Sequence, residues 1–462
     1  MHTFFENVFK RSQPMTKPDA VPATVPAFPP AFTWGVATSA YQIEGGATAD
    51  GRGPSIWDTF THTPGKITDA SSGDVACDHY YRYAEDVDII ASLNVDSYRF
   101  SIAWPRVQPD GSGAWNEAGF DFYSRLLDKL AEKNIAAHVT LYHWDLPQAL
   151  EDKGGWLNRD TAAHFAVYAA EVARRFGNRV ATIATHNEPW CTANLGYGTG
   201  QFAPGMADPA AAVSASHHLL LSHGLAMQAM RKLNVSAKLG IVLNQWTATP
   251  ATDTAVDIKA AEVEWARSVA WFMDPIFKGS YPALALDNID CSLLSIHEND
   301  FNDIRQEIDF LGVNYYFRAY VSTETPPRQP PCELGKTDMG WEIYPQGLTE
   351  LLVKLHAEYA LPPVYITENG MAVADQLQDG ANGRQVKDQQ RIDYLKMHLA
   401  ALHDAMQAGV DVQGYFYWSL LDNFEWNSGY LRRFGLIYVD YDTQQRTLKD
   451  SAHWYRNFIK EQ

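Results

Sequence analysis

Eight apolar runs of strand length recur along the chain from about residue 31, with helix-like segments between them. The runs are rich in β-branched and aromatic residues, which favour strands. In the segment FDFYSRLLDKLAEKN, Tyr123, Leu127 and Leu130 fall on one helical face, and Asn134 follows where a helix would end. Strands that alternate with helices predict parallel βα units. The runs are FTWGVATSAYQ, DSYRFSIAW, AAHVTLYHW, ATIATHNEP, LGIVLNQW, DFLGVNYY, PVYITENG and VQGYFYWSL.

The number of runs predicts how these units close. Eight parallel strands form a (β/α)8 TIM barrel, and 462 residues are enough for one such α/β domain with elaborated βα loops. An open doubly wound sheet is the alternative, but no Gly-x-Gly-x-x-Gly sequence follows any run. We expect a single catalytic barrel over residues 31–462. Residues 1–30 are predicted to form a flexible arm, because their Pro- and Ala-rich stretch disfavours helices and central strands.

Charge and cysteine content restrict the partners and the compartment. The formal net charge of −18 repels phosphate backbones and anionic lipids, so we expect neither nucleic acid nor a membrane as partner. Four scattered cysteines without a Cys-x-x-Cys pair indicate neither a zinc site nor a disulfide framework. The chain also has no apolar stretch of membrane-spanning length and no signal-peptide pattern. We therefore expect a cytoplasmic protein, whose oligomeric state the sequence leaves open.

Polar and aromatic side chains gather at the carboxyl ends of the runs, where TIM-barrel enzymes place their active sites. Glu188 and Glu368 end the fourth and seventh runs, and Arg99 and His143 lie on the second and third. Each of them alone has an ordinary structural explanation, such as an ion pair or a hydrogen-bonded core histidine. Burying all of them at one barrel mouth would be costly without a function. The other members of this group are Gln42, Glu44, Trp104, Trp144, His186, Asn187, Asn314, Tyr315, Tyr316, Trp418, Glu425 and Trp426.

Residues next to the two carboxylates predict their backbone conformation. Glu368 is expected to be the last residue of its strand, because Asn369 and Gly370 favour a turn. Pro189 follows Glu188 directly and is expected to keep it in the extended region.

Among reaction types, the hydrolysis of a glycosidic bond fits these residues best. One carboxylic acid protonates the leaving oxygen and a second carboxylate lies near the anomeric carbon. Amide and imidazole groups can bind sugar hydroxyls, and Trp rings can cover the C–H face of a sugar. Zinc hydrolysis, phosphoryl transfer and serine hydrolysis each lack their motif in this chain. No metal and no cofactor is expected.

Together these motifs resemble the family-one glycoside hydrolases, the β-glucosidase family, from about residue 30 to the end. The resemblance implies a retaining β-glucosidase that works through a covalent glycosyl-enzyme on small-molecule β-glucosides or cello-oligosaccharides. It also implies side activity on β-galactosides and β-fucosides. A transglycosylase with the same intermediate and a non-catalytic carbohydrate-binding barrel are the alternatives. The motifs are FTWGVATSAYQIEG, YRFSIAWPR, LYHWDLPQAL, HNEPW, GVNYY, ITENG and YFYWSLLDNFEWNSGYLRRFGL.

The resemblance further implies roles for individual residues. Glu188 is the acid/base and Glu368 the nucleophile, with carboxyl groups about 5–5.5 Å apart, as in retaining enzymes. Arg99 and Tyr316 contact Glu368 and keep it ionised, and its charge raises the pKa of Glu188. Glu425 would repel a 6-phosphate, so a neutral sugar is expected. The substrate-binding residues are Gln42, His143, Trp144, Asn187, Asn314, Tyr316, Trp341, Trp418, Glu425, Trp426 and Phe434.

Overall fold

A computed structural model describes residues 21–287, 289–380 and 383–462 of the chain. Within these ranges eight parallel strands close into a barrel. The barrel strands are β1 Thr33–Ala37, β2 Ser97–Ser101, β3 Ala136–Tyr142, β4 Thr182–Asn187, β5 Lys238–Asn244, β6 Phe310–Asn314, β7 Val364–Asn369 and β8 Val412–Trp418. Each strand pairs with its neighbours in sequence, and β8 closes the barrel against β1. The predicted (β/α)8 architecture is confirmed.

One main helix follows each strand and packs outside the barrel. The helices are α1 His79–Ser92, α2 Glu117–Glu132, α3 Asp160–Phe176, α4 Pro209–Arg231, α5 Trp271–Phe277, α6 Gln346–Glu358, α7 Gln389–Gln407 and α8 Asp450–Glu461. Helix α2 buries the face predicted from its spacing, which includes Tyr123, Leu127 and Leu130. Asn134 follows α2 with a φ of 57°, the left-handed conformation that often ends helices. Across the described ranges, no helix is both long enough and apolar enough to cross a membrane.

Shorter elements lie in the long βα loops, as the predicted loop elaboration requires. The remaining α-helices are Ala40–Ile43, Ile56–Thr61, Trp104–Val107, Gln148–Glu151, Ala255–Trp265, Ala283–Leu286 and Asp300–Ile304, of which Ala255–Trp265 is the longest at 11 residues. The 3₁₀ and π-helical segments are Ala49–Gly51, Gly155–Leu157, Cys191–Gly198, Ala266–Ala270, Cys291–Leu294 and Trp426–Ser428. Two-stranded sheets pair Ala248–Pro250 with Ala319–Val321, Leu377–Gly380 with Gly383–Val386, and Ile437–Val439 with Arg446–Leu448.

Two strands end earlier than their apolar pattern indicated. Strand β1 stops at Ala37, and Gln42 lies on the short helix Ala40–Ile43 instead of at a strand end. Strand β2 stops at Ser101, and Trp104 begins another short helix. Both helices are fully buried, and most of their residues are apolar like those of a buried strand. Because a continuous apolar run shows neither the period of a strand nor that of a helix, the sequence does not reveal where the strand ends and the helix begins.

Aromatic rings fill the barrel interior below the mouth. Phe310, Tyr365 and Phe416 belong to one buried cluster there. The ring of Phe416 lies so close to Gly35 that a Cβ at that position would be 2.3 Å from the ring carbon Cδ1. A side chain at this point of β1 would therefore displace the ring. The packed floor leaves the carboxyl ends of the strands as the place for a ligand.

The last part of the predicted arm packs against the barrel. Phe28 is buried, with its ring 4.7 Å from that of Phe32 and 5.0 Å from that of Trp34. Its backbone N–H donates to the side-chain carbonyl of Gln462 at 2.8 Å. Packing thus begins before residue 31, whereas residues 1–20 of the predicted arm lie outside the described residues.

Candidate active site

Glu188 follows the last residue of β4 and is only 6% exposed. Its Oε1 accepts a hydrogen bond from Asn314 Nδ2 at 2.7 Å, and its Oε2 accepts one from Cys191 Sγ at 3.2 Å. Burial and the nearby Glu368 carboxylate raise the pKa of Glu188 to about 8. Because its hydrogen-bonding partners are uncharged, Glu188 is suited to carry a proton at neutral pH.

The backbone of Glu188 differs from the prediction. Its φ is 49°, in the left-handed region, and not extended as the following Pro189 suggested. Proline disfavours the right-handed helical region for the residue before it and favours an extended one, so the left-handed φ of Glu188 departs from that usual preference. The turn takes the chain out of β4, and a π-helical segment begins at Cys191.

Glu368 lies within β7 and is 4% exposed. Its Oε1 accepts a hydrogen bond from Arg99 Nη1 at 2.8 Å, and its Oε2 accepts one from the Tyr316 hydroxyl at 2.7 Å. The pKa of Glu368 is raised overall, because burial outweighs the lowering effects of Arg99 and then Tyr316. Glu368 therefore has the cationic partner that Glu188 lacks, and of the two it is better suited to be the anion.

Strand β7 runs one residue further than predicted. Asn369 pairs with β8 and was expected to begin a turn. Its Nδ2 donates to the backbone carbonyl of Tyr315 at 2.7 Å and to the Tyr394 hydroxyl at 3.0 Å. These buried bonds replace the local backbone bonds through which Asn usually favours turns.

A hydrogen-bonded chain of amide and guanidinium groups joins the two carboxylates. Asn187 Oδ1 accepts from Arg99 Nη2 at 2.6 Å and from Asn314 Nδ2 at 3.0 Å. Arg99 also reaches Glu368, and Asn314 also reaches Glu188. Strands β2, β4, β6 and β7 thus hold the pair through side chains that are themselves fixed by hydrogen bonds, which favours a preorganised site.

Gln42 and Glu425 lie together beside the carboxylate pair. Gln42 Nε2 is 3.4 Å from Glu425 Oε2, and it also donates to Asn423 Oδ1 at 3.1 Å. Burial, followed by the charges of Glu368 and Glu188, raises the pKa of Glu425 to about 8. The Gln42 amide and the Glu425 carboxyl can together bind neighbouring hydroxyl groups of a sugar.

Aromatic rings form the wall next to these polar groups. The His143 ring lies 5.8 Å from the ring of Trp418 and 5.8 Å from that of Trp426, nearly parallel to both. Burial and then Arg99 lower the pKa of His143 well below its ordinary value, so the ring is neutral and can donate or accept. Trp144 donates its Nε1 hydrogen to the Asn187 carbonyl at 2.8 Å and packs on Trp426.

A second aromatic group surrounds Tyr316, which donates to Glu368. The Trp341 ring lies 5.3 Å from that of Tyr316 and 6.2 Å from that of Phe434. Trp341 is half-buried, so part of its face is open to a ligand. Tyr316 therefore connects this group to the Glu368 carboxylate.

Four residues grouped with the strand ends do not join this site. Glu44 pairs with Arg106, and Trp104 stacks on Tyr168 of helix α3. His186 bonds to Ser222 of helix α4, and the Tyr315 hydroxyl donates to a backbone carbonyl. Successive residues of a strand point to opposite faces of the sheet, so part of this group faces the outer helices.

Two residues at the site were missed by the sequence analysis. Asn423 accepts a hydrogen bond from Gln42, and Cys191 donates to Glu188. Cys191 comes three residues after Glu188, close enough for such a contact, which its position beside HNEPW could have suggested. Within the described ranges, no group of three or more His, Cys, Asp and Glu side chains is arranged to hold a metal ion.

Comparison with known proteins relates the chain to one enzyme family. The sequence model described as "Glycosyl hydrolase family 1" matches residues 25–462. Beta-glucosidase A of Acetivibrio thermocellus is 47% identical over 438 residues, covering 93% of this chain and 97% of that protein. The bifunctional beta-D-glucosidase/beta-D-fucosidase of Bifidobacterium breve is 44% identical over 455 residues, covering 93% and 97%. A solved family 1 β-glucosidase from Thermotoga maritima has a TM-score of 0.90 at 47% identity, covering 95% and 99%.

Proposed function

The chain belongs to glycosyl hydrolase family 1, and on that basis we propose that it is a retaining β-glucosidase with Glu368 as nucleophile and Glu188 as acid/base. The observation that carries these roles is the unequal surroundings of the two carboxyls. Glu368 has the Arg99 guanidinium, whereas Glu188 has only neutral donors. Two carboxylates in environments that separate their pKa values are suited to different roles.

In the first step the Glu368 carboxylate attacks the anomeric carbon of the β-glucoside. Glu188 gives its proton to the glycosidic oxygen as the bond to the aglycone breaks. Arg99 and Tyr316 hold the attacking carboxylate, and they restrain its rotation before the reaction. The products of this step are the free aglycone and an α-linked glucosyl ester of Glu368.

In the second step Glu188 acts as a base. Once Glu368 is an ester, its charge no longer raises the pKa of Glu188, which can then deprotonate a water molecule. The water attacks the anomeric carbon, the ester bond breaks, and β-glucose leaves with the Glu368 carboxylate restored. This geometry requires carboxyl groups about 5–5.5 Å apart.

Hydrolysis of an aryl β-glucoside, followed by NMR of the first sugar anomer formed, tests this function. We expect the β-anomer of glucose to appear first and the α-anomer to follow by mutarotation. Release of α-glucose first would contradict double displacement. Transfer of the sugar to an added alcohol in place of water would favour a transglycosylase, and absence of turnover would favour a binding protein.

The sugar is proposed to bind between Gln42, Glu425, His143, Asn187 and the indole rings beside them. β-Fucosides are a proposed second substrate, since the B. breve relative is named for both activities. D-Fucose is 6-deoxygalactose, so a β-fucoside lacks the 6-hydroxyl and has the 4-hydroxyl inverted relative to glucose. β-Galactosides and cello-oligosaccharides are proposed as further substrates, and we propose that the enzyme acts in the cytoplasm.

Glu425 gives a specific prediction about phosphorylated sugars. We expect the 6-phosphate of an aryl β-glucoside to have a kcat/KM at least about 100-fold below that of the neutral glucoside, because the phosphate dianion would be buried beside Gln42 and Glu425 without a cationic partner and would be repelled by Glu425 whenever that carboxyl is ionised. Glu425→Gln should weaken this discrimination and leave the order of substrates unchanged. If the phosphorylated substrate had the higher kcat/KM, the proposed neutral-sugar specificity would be wrong.

A further inference from the structure

Both oxygens of the Glu188 carboxyl are held, and by different parts of the fold. Asn314, at the end of β6, donates to Oε1, and the thiol of Cys191, at the start of the π-helical segment, donates to Oε2. We propose that Cys191 is a positioning residue for the acid/base, whose S–H group orients Oε2 and adjusts how tightly Glu188 holds its proton. This inference rests on the role proposed above for Glu188.

The Cys191 thiol stays protonated, so it can act as a donor. It is 8% exposed, and burial followed by the Glu188 charge raises the pKa of the thiol well above its ordinary value. Asn244, the last residue of β5, donates its Nδ2 hydrogen toward the sulfur at 3.7 Å. With a donor on one side of the sulfur, the S–H hydrogen is directed to the carboxyl on the other.

The chemistry of a thiol suits a carboxyl that must both release and regain a proton. Because Oε1 already accepts an N–H hydrogen from Asn314, we assign the acidic proton to Oε2. The S–H hydrogen rotates about the Cβ–Sγ bond and can leave Oε2 when that oxygen is protonated. When Oε2 is anionic, the S–H bond returns and favours the carboxylate, but less than a hydroxyl would, because a thiol is the weaker donor.

Other charges that act on Glu188 come from separate elements. Glu368 on β7 raises its pKa and Arg99 on β2 lowers it, while Glu425, in the loop after β8, is a further carboxyl whose own pKa is raised by the charge of Glu188. The Tyr316 hydroxyl is neutral and donates to Glu368. A substitution at Cys191 leaves all of these groups in place. Any shift of the Glu188 titration in such a variant therefore reports the lost or altered thiol contact.

The test compares Cys191→Ala and Cys191→Ser through the pH dependence of kcat/KM on an aryl β-glucoside. We expect the apparent pKa of the alkaline limb to rise by about 0.5–1 unit in Cys191→Ala, since a donor to the carboxylate is lost. In Cys191→Ser the apparent pKa of the alkaline limb should be equal to or lower than that of the unmodified enzyme, because a hydroxyl is a stronger hydrogen-bond donor than a thiol. With a dinitrophenyl β-glucoside, kcat should fall several-fold in the alanine variant and recover in the serine variant.

Cys77→Ala is the matched control. Its thiol is also buried, but it donates to the backbone carbonyl of Asp422 and not to a carboxyl. The alkaline limb of this variant should coincide with that of the unmodified enzyme.

Two results would overturn the proposal for Cys191. One is an alkaline limb in Cys191→Ala that coincides with that of the unmodified enzyme, and the other is an equal shift in the alanine and serine variants. If the Cys191→Ala variant does not fold, the proposal is contradicted by an apparent pKa of the alkaline limb that is higher in Cys191→Ser than in the unmodified enzyme. These outcomes differ from failure of the proposed function, in which the unmodified enzyme itself would not release β-glucose.

Discussion

Replacement of Glu368 by alanine is expected to lower kcat by at least about 10⁴-fold, because the covalent step loses its nucleophile. The neighbouring carboxyls cannot substitute for it. Glu188 is held by hydrogen bonds from Asn314 and Cys191, and Glu425 lies beside Gln42, so neither carboxyl has the Arg99 and Tyr316 contacts that hold the nucleophile. Initial rates on a dinitrophenyl β-glucoside measure this loss, since that leaving group needs no acid.

Azide separates a lost nucleophile from a damaged protein. Alanine opens a space below the anomeric carbon, and azide can attack from the face that the Glu368 carboxylate occupied. A single displacement then gives α-glucosyl azide, which NMR identifies. Glu350→Gln is the control, because its carboxyl lies on helix α6 and accepts a hydrogen bond from Tyr344 outside the site. Activity above about one-tenth in Glu368→Ala, or a β-azide product, would refute the nucleophile assignment.

The barrel and the placement of Glu368 could be predicted because they depend on regular patterns. A strand that is apolar to its end carries its last side chains to the barrel mouth, and β7 follows this rule. Helix α2 likewise follows its spacing and ends before Asn134. In these segments the hydrophobic periodicity and the local turn preferences indicate the same structure, and such agreement allows the structure to be predicted from the sequence.

Positions that depend on contacts between distant segments could not be predicted in the same way. Gln42 was expected on a strand, but it lies on a buried helix. Its side-chain amide donates a hydrogen bond to Asn423, 381 residues away in the sequence. Glu188 was expected to be extended, but the path from β4 into the π-helical segment gives it a positive φ. Glu44 was grouped with the strand ends, but it follows the short helix Ala40–Ile43, beyond the end of β1, and pairs with Arg106.

Replacement of Glu188 by alanine is expected to give a loss that depends on the leaving group. For an alkyl β-glucoside we expect kcat/KM to fall by about 10²- to 10⁴-fold, the usual contribution of a general acid. With a dinitrophenyl β-glucoside the kcat/KM of Glu188→Ala should fall far less, because the leaving oxygen of this substrate departs without a proton. The glycosyl-enzyme then accumulates, since no base activates water, and added azide should release β-glucosyl azide.

The pH profile of the same variant tests whether Glu188 carries the proton. Only protonated Glu188 can act as the acid, so kcat/KM of the unmodified enzyme should fall as the pH rises through about 8, the value to which burial and Glu368 raise the pKa of Glu188. In Glu188→Ala this descent should disappear. On the acidic side activity falls as Glu368 becomes protonated, and that limb should remain. A descent that persisted near pH 8 would come from another group, such as Glu425, whose pKa burial and Glu368 also raise, and would contradict Glu188 as the titrating acid.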